Sequence, residues 1–272
     1  MDDVPEPETL SIGIDIQWLE KLFAAQPLAN AYALWDFRQN PDRTQFVTLV
    51  RNGAPQGYLL IWRGAPDHST VHWMSEGPHD EKLLAALPER PLVVLAPERC
   101  VKAVVAHCAP ATTRSVDLME HAGSRLRIGQ KVSVRPLKGT DKEGLRALAQ
   151  GDPEKFMASF ARLDLERART WGAFDGTDLV SFARAAVIMP SIWVIDGIYT
   201  DPGHRGKGFG GAVTAAATNA ALEAGARAGL YSYSDNLYAM RLYQSLGYRT
   251  VERMVMVDAT GKPPRRGLLR QD

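Results

Sequence analysis

Residues 204–211 read His-Arg-Gly-Lys-Gly-Phe-Gly-Gly. They lie between an apolar stretch, Ile-Trp-Val-Ile-Asp-Gly-Ile-Tyr-Thr at 192–200, and an Ala-rich segment running from about residue 210 to 223. A glycine-rich turn that opens a helix leaves several backbone N–H groups unpaired and pointing outward. With the positive end of the helix dipole they make an anion site. Gly206, Gly208, Gly210 and Gly211 remove the side chains that would hold a phosphate away from the backbone. Arg205 and Lys207 add positive charge, and the whole suits a diphosphate. The spacing excludes two common solutions. A Walker loop needs Ser or Thr after its lysine, and Lys207 precedes Gly208; the Gly-x-Gly-x-x-Gly dinucleotide pattern does not fit the run from Gly206 to Gly211.

A second group of candidates follows at 235–248, Asp-Asn-Leu-Tyr-Ala-Met-Arg-Leu-Tyr-Gln-Ser-Leu-Gly-Tyr. Asp235 or Asn236 can cap a helix through a side-chain oxygen, and Gly247 can end it. Asn236 and Tyr243 are seven residues apart, which places them on one helical face about 10 Å apart along the axis. Asp196 is the one carboxylate within 192–200. Strand alternation sets it on a face with Val194 and Ile198 without saying which face is open.

The spacing Arg205-x-x-Gly208-x-Gly210 resembles the pyrophosphate arm of the GNAT N-acetyltransferases. Asn236-x-x-Ala239-x-x-x-Tyr243, followed by Leu246-Gly247-Tyr248, is similar to the second signature of that superfamily. The resemblance covers roughly 131–258 and points most to the glycine N-acyltransferase-like branch. It implies acetyl-CoA as cosubstrate, with its pantetheine arm lying between splayed strands at 192–200 and 228–234. Ile198, Tyr199 and Thr200 would give it backbone hydrogen bonds. The turn of Arg205, Gly206, Lys207, Gly208, Phe209 and Gly210 would take the pyrophosphate, and Asn236 would touch the pantetheine. Tyr243 would protonate the departing sulfur. Asp196 stands where the family often carries an acid, so it would deprotonate the amine through a water; against this stands a plain pairing with a neighbouring strand. The reaction implied is direct attack of a primary amine on the thioester in a ternary complex. The alternative is a non-catalytic acyl-CoA-binding regulator. The acceptor, a small molecule or a protein amine, is not fixed by any residue; it is expected near helices at 140–163.

The 272 residues are long for one compact domain and comfortable for two, and 45% hydrophobic content can supply their cores. A net charge of +1 gives no global attraction to nucleic acid or an anionic membrane, so neither is expected as a partner. No apolar run approaches a membrane span. The acidic, Pro-rich start reads as neither signal nor transit peptide. Cys100 and Cys108 are too few for a disulfide framework, and a cytoplasmic monomer or homodimer is expected. His68 and His72 would stand about 13 Å apart on a strand, too far to share an ion, so no metal site is expected among them and His79.

Helical signals occupy about 15–25 and 28–38, then a strand pair, 46–50 and 56–62, joined at Asn52-Gly53. A strand (70–75), helix (79–87), strand (91–96), helix (98–107) and strand (115–120) complete the first half. The second half repeats the order: strand 131–135, helices 140–150 and 153–163 with Thr140 and Glu143 as a capping box, strands 170–174 and 179–187 across Asp175-Gly176, then strand, helix, strand, helix and strand to about 257. The fold class expected is α/β (α+β): two tandem GNAT-like domains, each a mixed, mostly antiparallel twisted sheet flanked by helices. Residues 1–125 form a degenerate copy, 126–260 the catalytic copy and 261–272 a basic tail. The first copy has an intact core (Leu59, Ile61, Val93, Leu95) but Glu76-Gly-Pro-His-Asp80 where the second has its glycines. Proline supplies no N–H, so no CoA is expected there, and the first half would serve to shape the acceptor site.

Overall fold

The computed structural model describes residues 8–65, 67–75, 81–129 and 132–261. The chain divides into two compact units, one running up to Val116 and resuming at Arg253, the other spanning Asp117–Glu252. The last strand of each half leaves its own half.

The first unit begins with β1 (Glu8–Ile12), which sequence periodicity did not indicate. Helices α1 (Ile16–Ala25) and α2 (Pro27–Gln39) follow; the Asp15 carboxylate caps α1 by accepting the Gln17 and Trp18 N–H groups at 2.8 and 3.2 Å. Strands β2 (Thr44–Arg51) and β3 (Ala54–Trp62) form the expected hairpin. Its turn places Asn52 and Gly53 at φ 55° and 72°, which few residues other than Asn and Gly adopt. Then come β4 (Ser69–Ser75), α3 (Glu81–Ala85), β5 (Leu92–Pro97), α4 (Val101–Cys108) and β6 (Thr112–His121). β1 to β4 pair antiparallel, and β4 runs parallel to β5. Residues 57–62 are buried without a break, because both faces of the sheet are covered. Leu59, Ile61, Val71, Trp73 and Val94 pack with Leu83 and Val104 on one side, and Tyr58 meets Trp18 edge-on on the other.

The second half of the chain contains β7 (Ser133–Pro136), α5 (Lys142–Gln150), β8 (Thr170–Asp175), β9 (Asp178–Ile188), β10 (Ile192–Thr200), α6 (Phe209–Glu223), β11 (Arg227–Tyr233), α7 (Leu237–Ser245) and β12 (Tyr248–Asp258). β7 to β10 pair antiparallel, and β10 runs parallel to β11 over its first residues. α6 lies in a core with Trp171, Ala183, Trp193 and Ile195, while α5 packs with Phe160, Phe182 and Tyr199 in a separate one. Both units are thus mixed, mostly antiparallel sheets flanked by helices, as the sequence indicates. The final strands are exchanged. Met254–Asp258 of β12 pairs antiparallel with β5 in the first unit, and β6 stands beside β11 in the second.

Two local expectations change. Residues 153–163 form two short 3-10 turns, Phe156–Ala158 and Phe160–Arg162, rather than a helix. The Asp152 carboxylate takes the N–H groups of Glu154 and Met157 at 3.1 and 2.8 Å, and Lys155 sits at φ 56°, so the chain cannot coil regularly through the segment. The Thr140–Glu143 box gives way to Asp141, whose carboxylate accepts the Lys138 N–H at 2.8 Å, while Glu143 pairs with Arg146. The Glu76-Gly-Pro-His-Asp80 turn and the basic tail lie outside the described residues.

Candidate cofactor cleft and active site

β10 is the element that opens the site. Its parallel pairing with β11 runs only from Ile192–Arg227 to Val194–Gly229. Beyond it, the register with β9 slips between Asp196 and Tyr199. Gly197 carries this bulge at φ 65°, where an added Cβ would stand 2.8 Å from the Phe160 ring. A β-branched or larger residue would have both the backbone strain and the collision, so only glycine lets β10 turn away from β11 here.

The turn between β10 and α6 is anchored before it reaches the glycines. Asp201 accepts the Gly203 N–H at 3.0 Å and bonds the His204 Nδ1 at 2.7 Å, while His204 Nε2 lies 3.5 Å from Asp175. Arg205, on the cleft lining, donates Nε to the Thr200 carbonyl at 3.2 Å. Gly206 and Gly208 take φ 76° and 89°, and Gly208 caps α6. The first bond of the helix joins the Ala212 N–H to the Gly208 carbonyl at 3.0 Å. The N–H groups of Phe209, Gly210 and Gly211 precede it and have no carbonyl within the helix to meet. Gly210 is also required by proximity, since a Cβ there would come within 2.9 Å of the Thr200 hydroxyl.

On the opposite wall, Asn236 caps α7 by accepting the Ala239 N–H at 3.2 Å. Tyr243, on the same helix, is 7% exposed, with its ring 6.2 Å from that of Tyr248. Burial pushes its phenol above the ordinary tyrosine value, so the hydroxyl keeps its proton through the neutral and alkaline range. Tyr248 donates to or accepts from Thr218 at 2.7 Å beneath it. The Tyr199 phenol is pushed up to about 12, first by burial and then by the negative charge of Asp152, although the two groups do not meet as a hydrogen bond.

These walls enclose a cleft of about 760 Å3. The structure brings Ile198, Tyr199, Thr200, Arg205, Gly206, Gly208, Phe209, Gly210, Asn236 and Tyr243 together around it. Lys207 is exposed and is not on the lining. Neither is Asp196. Its carboxylate takes two bonds from Arg184, Nε at 2.6 Å and Nη2 at 3.2 Å, and Arg184 lies over the Phe160 ring at 4.9 Å. The hairpin register sets Asp196 directly across from Arg184 on β9; a one-residue shift between Val194 and Ile195 makes this pairing, since counting outward from the 189–191 turn would set Asp196 against Ala185. Tyr238, Arg241, Asp152 and Phe156 also line the cleft and carried no sequence signal of their own. Among the described residues, no three His, Cys, Asp or Glu side chains are grouped as a metal ion would need. No described helix is long and apolar enough to cross a membrane.

Residues 142–248 match the acetyltransferase (GNAT) family. No curated protein matches the chain in sequence. Among solved structures, a Drosophila protein is 14% identical with a TM-score of 0.69, over 93% of this chain and 98% of that one. Other solved structures of similar fold are described as GNAT proteins. A GCN5-related N-acetyltransferase from Sphaerobacter thermophilus is 13% identical with a TM-score of 0.63, over 96% and 98% of the two chains. A tandem GNAT protein from the clavulanic acid biosynthesis pathway is 14% identical with a TM-score of 0.56, over 94% and 100%. At such identities the likeness is one of fold. The GNAT match over 142–248 takes in β10, the glycine turn and α7, and it supports acyl transfer from CoA to an amine as the class of chemistry.

Proposed function

We propose that the second unit is an acetyl-CoA-dependent N-acetyltransferase that passes the acyl group to a primary amine by direct attack in a ternary complex. One observation carries the reading. A diphosphate cradle at the start of α6, the gap beyond the bulge in β10, and a buried protonated phenol on α7 all open on a single cleft. The N–H groups of Gly208 to Gly211 and the Arg205 guanidinium suit the pyrophosphate. The β10 backbone at Ile198, Tyr199 and Thr200, beyond its pairing with β11, would bond the pantetheine arm, although Ser181 already donates to the Tyr199 carbonyl and Arg205 to that of Thr200. Asn236 holds the α7 turn beside it.

The amine nitrogen attacks the thioester carbon, the C–S bond breaks, and the leaving sulfur takes the Tyr243 proton. The proton lost by the amine passes to a base. Asp196 fills that role only through water, since its own oxygens are bonded to Arg184. Within the superfamily, the spacings at 205–210 and 236–248 resemble the glycine N-acyltransferase-like branch. One CoA per chain is expected. The test is direct: saturating CoA should raise the melting temperature, and mixing acetyl-CoA with an amine panel should release free thiol. A thermal shift with no thiol release from any amine would favour a CoA-binding regulator, and no shift at all would overturn the reading.

A further inference from the structure

We infer that the acceptor is an amine carrying a second cationic group, received by the cleft wall of Asp152, Glu154 and Tyr199. This rests on the N-acetyltransferase reading above and narrows its acceptor. Asp152, Glu154 and Phe156 follow α5 and line the cleft together with Tyr199 of β10. Asp152 is 5% exposed. Its carboxylate takes the Glu154 and Met157 N–H groups at 3.1 and 2.8 Å, one on each oxygen, and no basic side chain pairs with it among the described residues. A carboxylate has about four lone-pair sites, so each oxygen can accept once more. Buried charges in proteins are normally paired, and one that lines a cleft without a basic partner suits a cation from outside the chain.

Tyr199 supplies an independent observation. It is 7% exposed, and its hydroxyl is buried on this wall with no hydrogen-bond partner among the described residues. Burial, and after it the Asp152 charge, push the phenol up to about 12, so the group stays neutral and has lone pairs to offer. The Phe156 ring lies 6.1 Å from that of Tyr199 and gives the wall an aromatic side. Two carboxylates, a phenol oxygen and aromatic rings together suit an alkylammonium and repel a carboxylate. The diphosphate is not the occupant, since its charges match the N–H groups of the glycine turn instead. In the reaction, one nitrogen of the acceptor is neutral and attacks the thioester, while the other stays protonated on this wall.

The experiment compares kcat/KM for putrescine, butylamine and γ-aminobutyrate, with acetyl-CoA and the full chain. The three present the same primary amine on a chain of like length and differ at the far end, as ammonium, methyl or carboxylate. Putrescine should exceed butylamine about tenfold, the worth of one hydrogen bond to a charged group, and γ-aminobutyrate should fall below both. The ratio of putrescine to butylamine cancels any general damage from a substitution. Asp152→Asn should bring that ratio near unity. Because the Asp152 carboxylate also holds its own loop, the exposed Glu154 gives a second variant: Glu154→Gln should lower the ratio, and Glu154→Lys should turn the preference toward γ-aminobutyrate. A ratio near unity in the unaltered protein, a preference there for γ-aminobutyrate, or a ratio untouched by both Asp152→Asn and Glu154→Gln would overturn the proposal and leave the acetyltransferase reading standing. Absence of thiol release with every amine would overturn that reading, and this proposal with it.

Discussion

Replacing Asp196 by Asn separates structural from chemical duty at the bulge of β10. Arg184 is 7% exposed at its side chain and Asp196 25%. Removing one partner of a fully buried pair costs about 3–5 kcal/mol, mostly because the other charge is left without its mate. Asp196 keeps some contact with water, and an Asn side chain retains one oxygen for Arg184. We therefore expect a loss of about 2–3 kcal/mol in urea unfolding, a large share of the ~5–15 kcal/mol typical of a domain. Arg184→Met swaps the guanidinium over Phe160 for an apolar chain. Combined with Asp196→Asn it should recover about 1–2 kcal/mol, since no unpaired charge then remains. Turnover of the double variant decides the chemistry. If Asp196 serves as base through water, the restored protein stays slow at neutral pH and recovers at high pH, where the amine is already neutral. If the pair only braces the bulge, activity returns with stability. A single variant within about 0.5 kcal/mol of the unaltered protein, or a coupling of zero between the two positions, would refute the reasoning from burial.

Tyr243→Phe should lower kcat by roughly 10²-fold with little change in CoA affinity, as removal of a general acid does; an equal loss in affinity would make the hydroxyl a binding group. Burial lowers His72 from 6.5 to about 4, and neither ring nitrogen has a partner among the described residues. The folded protein therefore favours the neutral ring: this contribution is fully present above about pH 6.5 and is lost as pH falls toward 4, to a limit of about 3 kcal/mol. Urea midpoints of His72→Leu should lack that part of the slope, and parallel curves for the two proteins would contradict it. A fragment of residues 126–272 lacks β6, the strand beside β11, and should aggregate or melt well below the full chain; a soluble fragment binding CoA as the full chain does would refute the need for the exchanged strand.

Local chemistry was legible in the chain because its causes are local. Four glycines among six residues after an apolar strand can hardly do other than open a helix with bare N–H groups. An Asn ahead of a periodic segment caps it, and a tyrosine seven residues on shares its face; the cleft gathers all three as that periodicity requires. The hairpin at Asn52-Gly53 follows for the same reason. What needed the tertiary structure was every feature set by a distant partner. Alternation leaves Asp196 on one of two faces, and only Arg184 across the hairpin says which neighbour it has. Helical propensity at 153–163 yields to a carboxylate that captures the N–H groups a helix would use. Tyr238 looks like any exposed helical residue until its hydroxyl is seen on Gly206, thirty-two positions away in sequence. The exchange of β6 and β12 is the extreme case, since a strand carries in its sequence the pattern of its two faces but nothing that names the edge it will join.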